Sequence, residues 1–128
     1  MAGYYVITSL RNFVILFMYK LTTLYRQVDK PDASEQFFST IHLPLAEQLP
    51  GLVKSEVSRI NHKPGGQSRF ALMYELYFES EQVLQAAFTT APGVQLIRAL
   101  QPWADARVIT WFYADVYEEG LHEMDEEE

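Results

Sequence analysis

The chain holds three histidines, eight tyrosines and no cysteine, which narrows the chemistry its side chains can offer. Without cysteine there is no thiolate nucleophile, no disulfide and no Cys-type zinc or iron–sulfur site. His42, His62 and His122 fall in a predicted helix, a loop and the C-terminal tail, with no His-x-His or His-Glu-x-x-His spacing, so no metal is expected. Gly65-Gly66 is a lone pair in a turn rather than a phosphate loop, and no nucleophile-elbow pattern occurs. Proton transfer remains. His42 borders the apolar stripe of its helix, where a neutral-range imidazole can take a proton from an activated carbon acid or phenol and return it elsewhere. Tyr19 and Tyr74 share the strand parity that should look toward the helices, and a phenol there can orient a carbonyl or stabilise an enolate. Phe38, Leu72 and Trp103 are candidate walls of a substrate pocket. Each has a structural alternative: His42 hydrogen-bonded near Pro44, the tyrosines as core rings, the three walls as plain packing.

The elements that must position these residues follow from periodicity. Phe13 to Leu21 is apolar on both parities, as in a strand covered on both faces. A polar connection then leads to a first helix, with Asp32 as N-cap and Glu35 three residues on. Its stripe is Phe37, Ile41, Leu45 and Leu49, flanked by Phe38; Pro44 inside it predicts a kink or an early end. Pro50-Gly51-Leu52 closes the helix. Strands follow at about Val53–Ile60 and Phe70–Glu79, joined by a loop that holds Pro64-Gly65-Gly66. Ser80 caps a second helix from Glu81 to about Thr89, a further helical stretch runs to about Trp103, and a last strand spans Arg107–Tyr117.

The order β-α-β, β-α-β is a ferredoxin-like split unit: an α+β fold with a four-stranded antiparallel sheet. Helices cover one face of such a sheet, and strands apolar on both parities leave several hundred Å² on the other, more than monomers usually expose. A homodimer through the open sheet face, two sheets forming an α+β barrel, is therefore predicted.

Length and charge set further bounds. At 128 residues the chain is one domain, able to bury about two-thirds of its unfolded surface. Its longest uncharged apolar run, Phe13–Tyr19, falls far short of the ~20 residues of a membrane span, and no signal peptide is read. The formal charge of −7 is concentrated in the tail. Residues 118–128 carry seven acids and no base, while residues 1–117 carry ten of each. With no basic stripe, neither nucleic acid nor membrane is an expected partner. The domain organisation expected is 1–12 as an extension or short extra strand, 13–118 as the domain, and 119–128 as a disordered acidic tail.

Four segments carry a resemblance: Val14-Ile15-Leu16-Phe17-Met18-Tyr19-Lys20, His42-Leu43-Pro44, Pro50-Gly51-Leu52 and Glu75-Leu76-Tyr77-Phe78-Glu79-Ser80. In that order and spacing the chain, from about Phe13 to Glu118, resembles the EthD family of dimeric α+β barrel proteins. It departs from the family pattern at Trp103, where Phe is typical, and at Thr90–Gly93, which lacks an acidic residue. The resemblance implies a small cytoplasmic dimer with a pocket between helices and sheet. It also implies cofactor-independent chemistry of isomerase, cyclase or monooxygenase type on a small hydrophobic, aromatic or lactone-like compound. A non-catalytic carrier accessory to a degradation or biosynthetic oxygenase is the alternative. A cavity where His42 and a tyrosine hydroxyl converge would favour the enzyme, one walled only by hydrocarbon the carrier, and a packed interior a structural accessory.

Overall fold

A computed structural model describes residues 5–10 and 13–121. Its long central strand, β2 (Phe13–Arg26), pairs antiparallel with β4 (Phe70–Phe78) along one edge and with β5 (Ile109–Leu121) along the other. β3 (Leu52–Arg59) pairs with β4. The order β5-β2-β4-β3 is that of a ferredoxin-like fold. β1 (Tyr5–Leu10) forms a hairpin with the start of β2 and adds a fifth strand beside it. β2 and β5 run further than their apolar cores require. Thr22, Thr23 and Tyr25 continue β2 where the sequence reads as a connection, and β5 pairs as far as Phe13↔Leu121. The expected acidic tail therefore begins within a strand at residues 119–121, and its remainder lies outside the described residues.

One face of the sheet is covered by α1 (Asp32–Phe37), α2 (Leu43–Ala46), α3 (Glu81–Ala87) and α4 (Ala91–Asp105). The core lies there: Leu21 and Tyr25 from β2, Leu72, Tyr74, Leu76 and Phe78 from β4, and Leu84, Leu96 and Leu100 from the helices. Ser80 caps α3, its Oγ accepting from the Val83 N–H at 3.2 Å. Asp32 is not an N-cap. The cap position is Pro31, which offers no side-chain acceptor, and Asp32 is the first helical residue. There its carboxylate still favours the positive end of the helix.

Between α1 and α2 the chain passes through a π-helical turn, Phe38–His42. Pro44 has no N–H for the carbonyl four residues earlier, and a ladder widened by one residue accommodates that loss. The Leu43 N–H bonds to the Phe38 carbonyl, five residues back. The Thr40 hydroxyl donates to the Gln36 carbonyl at 2.6 Å. The extra residue rotates the inward face to Phe38, His42 and Ala46, and Ile41, expected inside, is 40% exposed.

The open face differs from the uniformly apolar surface the sequence suggests. Lys20 and Glu75, diagonal neighbours on β2 and β4, form an ion pair at 2.5 Å. The Tyr77 hydroxyl donates to Glu56 at 2.9 Å, and the Lys54 ammonium lies 4.6 Å from the Tyr77 ring centroid. The alternation hid this, because charged residues on one parity read as solvated when each is considered alone.

Candidate functional site

The π-helical turn drives His42 into the core, where it is 0% exposed. Its Nδ1 lies 2.6 Å from the Tyr25 hydroxyl. Its ring stands perpendicular to Tyr74, centroids 4.9 Å apart, and to Phe38 at 5.6 Å. Burial pulls the imidazole down to about 3, so it is neutral across the physiological range. Burial, and then the Glu35 carboxylate, push the Tyr25 phenol up, so it keeps its proton. When the phenol donates this proton to Nδ1, the ring's own hydrogen sits on Nε2, so direction and tautomer are set together. Nε2 has no hydrogen-bond partner among the described residues, nor has the Tyr74 hydroxyl, whose pKa burial also raises. Thr22 Oγ1, on the other parity of β2, is the third such atom. An unpaired buried polar atom costs about 1–3 kcal/mol, so two on facing rings are a costly pair for a purely structural core.

Of the residues singled out from the sequence, His42, Tyr74 and Phe38 meet in this cluster, and Leu72 is a buried neighbour in the same core. Trp103 packs on Phe37 at 4.8 Å, one ring away from His42. Tyr19 stands apart, stacked on Tyr113 with centroids 5.9 Å apart. Tyr25 escaped the sequence reading because it lies in the polar stretch after Leu21. The signal was its parity, shared with Tyr19 and Leu21 along the same strand.

A cleft of about 360 Å³ opens on the helix-covered side between α4 and the β2–β5 edge, lined by Leu21, Ile97, Trp111, Phe112 and Tyr113. His42 is not on its wall. A recess of about 20 Å³ touches Tyr25, Phe38 and Leu72 from the opposite end of the sheet, too small for more than a water. Among the described residues no group of three His, Asp or Glu side chains is placed to hold a metal ion. No helix there is long and apolar enough to cross a membrane.

A four-stranded antiparallel core sheet, β5-β2-β4-β3, with helices on one face defines an α+β protein of ferredoxin-like fold, a fold that hosts many unrelated functions. The chain belongs to the EthD family: it is 32% identical to an ethyl tert-butyl ether D family protein from Bacillus halodurans C-125, with 76% of this chain and 96% of that one covered and a TM-score of 0.69. No family model matches the chain. An uncharacterized 11.0 kDa protein of Rhodococcus erythropolis, from the thcB–thcC intergenic region, is 28% identical over 76 residues, 59% of this chain and 74% of that protein. Two solved structures share the fold at low identity. A dimeric ferredoxin-like protein of unknown function from Thermobifida fusca has a TM-score of 0.55 at 12% identity, covering 80% and 92% of the two chains. SnoaB, a cofactor-independent oxygenase from Streptomyces nogalater, has a TM-score of 0.52 at 12% identity, covering 78% and 90%.

Proposed function

We propose that this protein binds a small hydrophobic, aromatic or lactone-like compound in the cleft between α4 and the β2–β5 edge. The observation that carries the reading is the cleft itself: about 360 Å³, walled by Leu21, Ile97, Trp111 and Tyr113, with Phe112 of the other β5 parity at its edge, and no charge. That size and polarity are those of small-molecule sites. A second copy of the chain on the open face completes the assembly, and a fold neighbour is described as dimeric. The paired charges Lys20–Glu75 and Glu56–Tyr77 let that face be covered without stranding an ion. The test is methyl NMR of the full chain against neutral aromatic compounds and lactones. Ligand-dependent shifts at Leu21 and Ile97 are the expected result, and no shift with any compound ends the reading.

A second reading, cofactor-independent stabilisation of a developing oxyanion, starts from the unpaired Nε2 of His42 and hydroxyl of Tyr74 on neighbouring perpendicular rings. SnoaB supports it only in showing what the fold can host. On this reading Nε2–H and the Tyr74 hydroxyl act as two donors to an oxygen that gains negative charge, and Tyr25 holds the imidazole in that tautomer. At about 3 the buried imidazole is too weakly basic to hold a proton itself at neutral pH. Tyr19 would serve at the rim of the cleft rather than beside His42. Once a turned-over compound is known, His42→Ala should lower kcat by 10²-fold or more. Unchanged turnover removes His42 from the chemistry.

A further inference from the structure

We infer that the cleft takes a neutral, planar compound of two or three fused rings, an inference that rests on the reading of this cleft as the ligand site. Size is the first argument. An apolar cavity of about 150 Å³ holds one benzene, and this cleft, at about 360 Å³, is more than twice as large. A single ring would leave most of the wall without contacts, and lost contacts are lost affinity.

Shape is the second argument. Trp111 and Tyr113 occupy successive helix-side positions on β5, opposite Thr23 and Leu21, about 7 Å apart along the strand. Tyr113 is 50% exposed and continues into Tyr19, their rings inclined at 23°. A row of rings on the sheet wall, with Leu21 beside it and Ile97 of α4 facing it, suits a flat guest that stacks in offset fashion.

Charge is the third. No lysine, arginine or histidine lines the cleft among the described residues. At its Tyr19 end, Asp115 stands opposite Tyr19 on β5, two residues beyond Tyr113 on the same parity. An anionic guest would approach this carboxylate with no counter-charge on the wall. An aromatic acid is therefore a poor occupant, and its neutral analogue a good one.

The experiment titrates the full chain by calorimetry with 2-naphthol, 2-naphthoate and phenol at pH 7. 2-Naphthol should bind at least tenfold more tightly than either of the others, since a second ring adds four apolar carbons to the contact. Ile97→Trp, which fills the cleft from α4, should weaken 2-naphthol at least tenfold. Tyr113→Ala, at a half-exposed position where folding is not at stake, should weaken it several-fold. Phenol binding as tightly as 2-naphthol overturns the ring count, and 2-naphthoate binding as tightly overturns the charge argument. Either outcome leaves the cleft standing as a ligand site. If none of the three binds and the Leu21 and Ile97 methyl signals stay in place, the ligand-site reading falls as well.

Discussion

The two faces of the sheet treat polar groups in opposite ways. On the helix-covered side, where the core is sealed by the chain's own helices, His42 and Tyr74 each keep a polar atom without a partner. On the open side the charged groups at the centre are matched: Lys20 with Glu75, and Glu56 with Tyr77 and Lys54. The Tyr77 hydrogen bond, ahead of the nearby lysines, holds the Glu56 carboxyl below its usual range. The difference is instructive, because a face that the proposed dimer would cover must settle its charges in advance. The interior facing only the chain's own helices keeps its unmatched atoms buried and off the wall of the cleft. Energy lost at such an atom is affordable only beside a large apolar core, and the helix side has one.

Breaking the sealed side directly gives the largest effect. Phe78 is fully buried at the junction of β4 with α3, and Phe78→Ala should lower unfolding free energy by about 3–5 kcal/mol in urea titrations. An effect below 1 kcal/mol would show that the helix layer is not what holds the fold.

The histidine offers a sharper probe. In the unfolded chain an imidazole takes its proton near pH 6.5, while folded His42 stays neutral down to about 3. The unfolded state therefore binds more protons between those values. The stability His42 allows is fully present above 6.5 and is lost as pH falls through that window. Relative to His42→Leu, the wild type should lose about 2 kcal/mol between pH 7 and pH 5. Parallel pH profiles would place His42 in water. At pH 7, His42→Leu alone should cost about 1–3 kcal/mol by stranding the Tyr25 hydroxyl, and Tyr25→Phe added to it should recover most of that.

How much of this contrast was legible in the sequence follows from what each signal encodes. Alternation marked β4 and its inward Leu72, Tyr74, Leu76 and Phe78, and Ser80 marked the start of α3, because both are local. Pro44 announced a disturbance in the first helix, but whether a proline ends a helix or widens it depends on packing against the sheet. The π-helical turn, and with it the inward swing of His42, was therefore hidden. Tyr25 was hidden by Thr22 and Thr23, polar in composition yet β-branched and buried here on both faces of a central strand. The Lys20–Glu75 pair depends on the register of β2 against β4, a property of two strands that neither one encodes.

That pair tests the open face at a smaller scale. Glu75 is almost buried and Lys20 about one-fifth exposed. Lys20→Met or Glu75→Leu alone should cost about 1–3 kcal/mol, because the remaining charge is left partly desolvated, and the double variant should return to within about 1 kcal/mol of the wild type. If the proposed dimer is driven by apolar contact, the wild type and the double variant should both sediment as dimers. A monomeric double variant beside a dimeric wild type would mean that the ion pair, not the hydrocarbon around it, organises the interface.

The smallest effect should come from an ion pair of the same length in a different setting. Arg59 on β3 and Glu35 on α1 also meet at 2.5 Å, but their side chains are 55% and 45% exposed. In water-like dielectric such a contact gains little beyond the entropy of holding two long side chains, so Arg59→Ala should cost less than about 0.5 kcal/mol and nothing measurable in 0.5 M salt. Since distance is equal in the two pairs, the ratio of their single-variant effects isolates desolvation. If Arg59→Ala matched Lys20→Met, burial on the open face would contribute nothing, and the argument that this face has settled its charges in advance of a partner would lose its energetic basis.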